Sequence, residues 1–517
     1  MKRRWRKTSP RRRGAKKCRK RNPLLHQRPR SRAVRGLSGR AAAISATRLM
    51  NYGLVLISPV ILVRLLSVED FGRYREFLVY VGLLGGIAAF GINSSLLRFV
   101  PNNPQAGWRF VNQAVLMTVA SSVVVIGGML ALNALVGGKL VGDYAVPVAL
   151  YVLLFVNMDF WEFLWLAEKR SSAVLRYTTA RLVARIVVVT TTAALTRDVA
   201  TIIWSLICLE ALRLTLSAIG WRVRARAVQR GEPPRWREQL QYCLPFGAAL
   251  VVVTLNKSLG ALFVAKMMGP VALAHYAIGT YMQPVISVIR NSLSDVVLPE
   301  MASQTSRSPA DRLKLWRRTT VVTAIFLFPA SVLLARFADV LVVTLFSETY
   351  RPAVVIFQIY LLTFLRETLD FGIPLRAINR NVPILHSNLI AFALRAGLMI
   401  ILIPLWGLIG AVTAMVISRF VEGAYLGVQT ARAFEIPLRS FAPWKDLLKT
   451  LGAAMLAAVV LYGQFWTERL GILGVIPAGA AYIVIFTVLL GRLRVPEIGL
   501  LLEKLRSAPA LILRRPH

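Results

Sequence analysis

Apolar residues in this chain gather into blocks of about 18 to 25, and the blocks recur from Ala41 to Leu490. A block of that length crosses a hydrocarbon layer of roughly 30 Å as a helix, and inside such a layer only a helix or a closed barrel satisfies the backbone. The pattern predicts an all-α polytopic membrane protein with about 14 transmembrane helices. The spans fall at 41–66, 76–99, 110–136, 145–167, 176–196, 199–221, 241–266, 271–298, 316–337, 352–377, 382–404, 407–430, 445–466 and 470–491. Composition agrees: 56% of the 517 residues are hydrophobic and the mean hydropathy is +0.58, above the half-apolar balance of ordinary soluble domains.

A formal net charge of +40 suggests a nucleic-acid binder until its distribution is read. Residues 1–40 hold 18 Lys and Arg and no acid, and further basic residues fall in alternate loops, as in "WRVRARAVQRGEPPRWRE" and "RSPADRLKLWRR". The opposite loops are short and nearly neutral ("GGKLVGD", "FSETYRP", "PLWG", "TERLG"). Alternation of this kind records membrane orientation, with both termini in the cytoplasm, and no nucleic-acid partner is expected. The basic arm has two uses to weigh: a polybasic contact with anionic headgroups, or a disordered leader that sets topology or reflects an over-extended start. The second asks less of the sequence. No cleavable signal peptide is expected, because the first apolar run is too long and lacks a small-residue cleavage site. Cys18, Cys208 and Cys243 have no metal spacing, and His26, His275, His386 and His517 are scattered. We expect no metal site, no cofactor and no enzyme chemistry.

An internal repeat is visible. Arg64 to Tyr74 ("RLLSVEDFGRY") and Lys266 to Tyr276 ("KMMGPVALAHY") both run from a basic residue through two apolar residues and a turn to a tyrosine, and each following run ends at a proline, Pro101 or Pro299. Residues 165–189 match 375–399 at an offset of 210, which sets Arg185 on Arg395. The expected organisation is a basic arm (1–40), a six-helix bundle (41–221), a basic linker (222–240), a second six-helix bundle (241–430), two extra helices (431–491) and a tail (492–517). Paired bundles of this kind are a transporter plan with the substrate site between the halves. Ser67 to Arg73 is read as the outer turn between the first two helices, with Gly72 allowing the reversal. Gly82 and Gly86, and Gly410 with Ala414, are read as helix-packing positions.

The stretch "LLSVEDFGRYREFLVYVGLLGGIAAFGINSSLLRFVP" resembles the opening of polysaccharide biosynthesis membrane proteins, the Wzx-type oligosaccharide flippases of the superfamily that includes the MATE exporters and the lipid II flippase. "LFSETYRPAVVIFQIYLLTFLRETLDFGIPLRAINRNVPIL" with "IPLWGLIGAVTAMVISRFVEG" is similar to that family's second half, so the match covers about 41–430. The resemblance implies a flippase for a polyprenyl-pyrophosphate-linked oligosaccharide in the cytoplasmic membrane. It also implies membrane lipids around the chain and polysaccharide polymerase and export proteins as partners.

Charges within the spans are costly and mark candidate sites. Lys257, Arg185, Arg395 and Arg290 have no acid on their own helix three or four residues away, and Arg181 lies one turn from Arg185. With Arg48 these are the candidate cavity cations, and unpaired guanidinium groups between two bundles suit a pyrophosphate. Asp159, Glu367 and Asp370 are candidate ion-coupling acids. Helical spacing pairs Arg366 with Asp370, Glu210 with Arg213, and Arg419 with Glu422. A cation-coupled drug exporter is the second candidate, although that chemistry favours an acidic cavity. A membrane glycosyltransferase or polymerase would need larger outer loops, and a membrane scaffold would leave the buried cations unexplained.

Overall fold

A computed structural model of the protein describes residue 53 and residues 56–103, 107–225, 236–302, 309–462, 474–495 and 497–499. The basic arm, Arg48 and most of the linker and tail lie outside these. Among the described residues the chain is helical throughout. Eight helices are long and apolar enough to cross a membrane, or nine when the bent pair Val68–Ala89 and Ile92–Asn102 counts as one span.

The first helices are α1 (Leu56–Leu65), α2 (Val68–Ala89), α3 (Leu96–Asn102), α4 (Gly107–Leu135), α5 (Ala145–Asn157), α6 (Phe160–Ala167), α7 (Ser171–Thr196) and α8 (Val199–Ala225). The expected outer turn at Ser67 to Arg73 is almost entirely helix. Ser67 is the N-cap of α2, its hydroxyl accepting from the Asp70 amide at 3.0 Å, and Glu69 and Asp70 occupy the first turn. A capping hydroxyl and two acids at a helix start satisfy free amides and complement the macrodipole. The charges thus begin the helix eight residues before the expected start at 76. Gly72 does not make a reversal either: a Cβ there would overlap the carbonyl of Pro270. α2 ends where Phe90 and Gly91 take left-handed φ of 41° and 63°.

The chain continues as α9 (Trp236–Gly279), α10 (Gln283–Ala302), α11 (Pro309–Arg336), α12 (Ala338–Phe346), α13 (Ala353–Leu361), α14 (Thr363–Glu367), α15 (Gly372–Ala377), α16 (Val382–Ala433), α17 (Leu438–Phe441), α18 (Trp444–Ala457) and α19 (Val475–Arg492). α9 and α16 are each two helices joined at a non-helical glycine, Gly269 (φ 84°) and Gly407 (φ 58°). Both fall within a residue or so of the expected boundaries. The single span expected at 352–377 is instead three short helices, α13 to α15, interrupted at Thr368 to Phe371. The span at 145–167 is also interrupted, at Met158 and Asp159, about 210 positions earlier. Beside each interruption lies an aromatic cluster: Trp108 with Trp161 and Trp221, and Trp316 with Phe371 and Phe441.

Two features suit the helices to a hydrocarbon layer. Hydroxyls bond back one turn, as Thr118 does to the Ala114 carbonyl (2.7 Å) and Thr192 to that of Val188 (2.7 Å), so few polar groups need a partner from another helix. In the loop between α7 and α8, Asp198 accepts from the hydroxyl (2.6 Å) and amide (2.8 Å) of Thr201, and these bonds hold its carboxyl below the usual range. The second feature is the line where α2 runs antiparallel to α9. Gly72 lies under Pro270, Gly86 under Thr254, and Gly247 under Phe90. Small residues let the backbones approach where lipid supplies no hydrophobic drive. Gly82, expected to pack likewise, has nothing within 4 Å of a built Cβ.

Gly72→Ala should therefore destabilise the protein by about 1–3 kcal/mol, the usual cost of overpacking a tight contact. Gly127→Ala, which meets open space on α4, should be neutral or slightly stabilising by helix propensity. Thermal unfolding in detergent compares the two.

Candidate functional site

The space beside Gly82 is a cavity of about 280 Å³ enclosed by α2, both limbs of α9, α10 and α16. On the α9 wall Gly260 lets the Tyr276 hydroxyl approach the helix, where a Cβ would overlap it. Four cations reach it: Arg75 from α2, Lys257 from α9, and Arg395 and Arg419 from the two limbs of α16. Ser258, Tyr276, Thr280 and Gln283 supply neutral hydrogen-bonding groups, and none of the lining residues is acidic.

The packing around each cation shows how it is held. Arg395 is only 4% exposed. Its Nη1 donates to the Asn256 carbonyl (2.7 Å) and its Nε to the Ser418 hydroxyl (2.9 Å), while Asn256 Nδ2 donates to the Asn388 carbonyl (2.6 Å). This stitches α9 to both limbs of α16 through a cation rather than to a carboxylate. Arg419 Nη1 lies 3.1 Å from Glu422, but Glu422 also takes Arg366 at 3.6 Å, so one carboxylate serves two guanidinium groups. Among the described residues Arg75, Lys257 and Arg395 form no ion pair, and Arg75 Nε is buried without a hydrogen-bond partner. Three uncompensated cations around one cavity form a strongly attractive site for an anion.

A family model described as polysaccharide biosynthesis protein matches residues 61–355. The chain belongs to this family. No curated protein matches it. Among solved structures, the lipid II flippase MurJ in an inward closed conformation is similar at 14% identity, covering 87% of this chain and 99% of that one with a TM-score of 0.67. An inward-facing multidrug resistance MATE family transporter of the MOP superfamily is similar at 13% identity, covering 76% and 98% with a TM-score of 0.55. A MOP superfamily transporter from Pyrococcus furiosus is similar at 15% identity, covering 78% and 96% with a TM-score of 0.52. At such identities the structural likeness carries the fold. Family and fold together make this a multi-pass membrane protein of the polysaccharide biosynthesis family with the fold that the lipid II flippase and the MATE transporters share.

Of the cations expected to line a cavity, Lys257 and Arg395 do so. Arg185 lies instead against Tyr74 and Tyr151, close to Arg75 but outside the lining. Arg181 pairs with Asp159 at 2.6 Å, and Asp159 also takes Arg213 at 3.2 Å. Arg290 pairs with Glu367 on another helix at 3.0 Å. Arg290, Glu367 and Asp370 line a second space of only about 20 Å³ between α10, α11 and α14. Asp370 pairs with Arg376 (3.7 Å), not with Arg366 as helical spacing implied, because α14 ends at Glu367 and the four-residue geometry is lost. The pairs Glu210–Arg213 (2.7 Å) and Arg419–Glu422 do form. Arg48 lies outside the described residues.

Two cavity residues escaped the sequence reading. Arg75 falls just outside the span expected at 76–99, yet Arg75, Val79 and Gly82 share one face once α2 starts at Val68. Arg419 was set aside because Glu422 stands three residues away, and nothing local shows that Arg366 competes for that carboxylate.

Arg366 and Glu422 are each 7% exposed. Glu422→Ala should leave a buried guanidinium uncompensated and cost about 3–5 kcal/mol. Arg73→Ala, which breaks an exposed pair with Glu69, should cost less than about 1 kcal/mol. Chemical unfolding in detergent measures both.

Proposed function

We propose that the protein flips a polyprenyl-pyrophosphate-linked oligosaccharide from the cytoplasmic to the outer leaflet of the cytoplasmic membrane for surface polysaccharide assembly. The observation that carries this is a cavity with four cations and no acid on its wall. A pyrophosphate is a compact dianion or more, and guanidinium forks match its oxygens. Arg75, Lys257, Arg395 and Arg419 are the anion-binding groups, with Arg185 reinforcing Arg75 from behind. The prenyl tail stays in lipid between helices while the sugars occupy the polar part of the cavity.

On this proposal residues 41–221 and 241–430 are the two halves that move in alternating access, and residues 431–491 are an addition to that frame. The alternation of basic and neutral loops supports an orientation with both termini in the cytoplasm. The product is then handed to polysaccharide polymerase and export proteins. A drug exporter for cations is disfavoured by the same wall, since a cationic ligand would meet only like charge.

The test is binding of a short-chain polyprenyl pyrophosphate to purified protein, together with polysaccharide export in cells. Lys257→Gln and Arg395→Gln should each weaken binding about tenfold or more, the loss expected for one charge-assisted hydrogen bond. The double variant should abolish export while the protein remains folded and inserted. Unchanged binding by the double variant would overturn the proposal.

A further inference from the structure

A groove of about 550 Å³ lies where α11 and α13 meet α18 and the short helix Ala458–Tyr462 that follows it, and it shares no lining residue with the cation cavity. It exists because α18, which belongs to the part added after the second bundle, packs on α11. Its long wall is apolar, made by Val332, Leu361, Leu362, Leu365, Leu451 and Met455. Leu362 and Met455 are exposed, so the groove opens sideways to lipid. One end is polar, with Arg336, Gln358 and Tyr462, and no lining residue is acidic. The depth of that end follows from the helices beside it. α11 and α18 rise together from Arg317, whose Nε donates to the Phe441 carbonyl at 2.8 Å. Arg336 stands 19 residues farther along α11, about 28 Å at 1.5 Å per residue. That is close to the roughly 30 Å of a hydrocarbon core, so Arg336 sits near the headgroups of the opposite membrane face.

An arginine in the last turn of a helix complements the macrodipole, and that role asks only that its head extend into water. Arg336 folds back instead. Its guanidinium lies 5.3 Å over the Tyr462 ring and 5.6 Å over that of Phe337, and its Nε is buried without a hydrogen-bond partner. Among the described residues it forms no ion pair, and Asp339, the acid next to it in sequence, is taken by Arg351 at 3.7 Å. We propose that this groove binds one anionic glycerophospholipid, its phosphodiester on Arg336 and an acyl chain along the leucines. Charge separates this ligand from the substrate of the cavity. One guanidinium matches the single negative charge of a phosphodiester, whereas a pyrophosphate calls for the several cations that only the cavity holds. A zwitterionic headgroup would set its ammonium near Arg336 with no lining acid to receive it, so an anionic headgroup is favoured. The volume falls within the usual range of ligand pockets. On the orientation proposed above the lipid belongs to the outer leaflet and fastens α18 to the bundle. The binding itself does not depend on the flippase reading.

Native mass spectrometry of the purified full chain, freed of lipid in detergent, measures the first lipid bound. Phosphatidylglycerol should bind about tenfold more tightly than phosphatidylethanolamine, the factor that one charge-assisted contact supplies. Arg336→Gln should remove that preference. Leu362→Trp, which fills the apolar part of the groove, should weaken both lipids, and it carries the test if Arg336→Gln does not fold. Arg351→Gln, which alters a nearby cation already paired with Glu348 at 2.7 Å, should change neither. Thermal unfolding without added lipid checks that each variant is folded. Equal binding of the two lipids, a preference that survives Arg336→Gln, or unchanged binding by Leu362→Trp would sink the assignment. Displacement of phosphatidylglycerol by a short-chain polyprenyl pyrophosphate would also sink it, by giving the groove to the substrate. Lys257→Gln together with Arg395→Gln should leave phospholipid binding intact, so failure of the cavity proposal and failure of this one are read separately.

Discussion

A hydrocarbon layer solvates no charge, and most of the polar architecture of this protein is the local solution to that constraint. Asp159 sits between Arg181 and Arg213, Glu367 takes Arg290, and Glu422 is shared by Arg366 and Arg419. Each arrangement removes the larger part of the desolvation penalty at the place where it arises. The cavity wall is where this stops. Arg75, Lys257 and Arg395 keep their charge without a carboxylate, and Arg395 is held in place by a carbonyl and a hydroxyl that fix its position without neutralising it. A protein gains nothing in stability from such a cluster, so its use is to be sought in what the cluster binds.

The close line between α2 and α9 is what places those cations together. Gly72 meets the backbone at Pro270 and Gly86 the side chain of Thr254 on either side of Gly82, and at Gly82 itself no side chain from α9 fills the gap. The same helix pair therefore makes the seal and the space. Arg75 and Glu76 are adjacent on α2, one directed to the cavity and the other to Lys266 of α9.

Much of the fold was legible before any coordinates. Apolar block length gave the class and most spans, and the glycines at 269 and 407 fell where helix pairs were expected to divide. What stayed hidden was set by contacts between distant segments. The start of α2 was misplaced because charged residues in "SVEDFGRYREF" read as loop, whereas Ser67, Glu69 and Asp70 are what a capped helix start requires. That single error concealed Arg75. Pairing across helices, as for Arg290 with Glu367 or Arg366 with Glu422, leaves no trace in spacing along one helix, so the set of uncompensated cations could be narrowed only with the packing known.

The repeat and the site differ in symmetry, and the difference bears on mechanism. Interrupted helices and aromatic clusters recur about 210 positions apart, and Arg185 and Arg395 are equivalent by the same offset. Yet Arg395 is bound into the cavity wall while Arg185 stands behind Arg75, and the residue that the first repeat aligns with Arg75 is the uncharged Ala277, also on the wall. Three of the four cavity cations come from the second region and one from the first. An anion seated on Lys257, Arg395 and Arg419 would therefore draw Arg75, and α2 with it, toward α9. Without the anion, Arg75 meets three like charges. A duplicated frame with an unduplicated site gives the bound anion a direction in which to pull, which two identical halves would not supply.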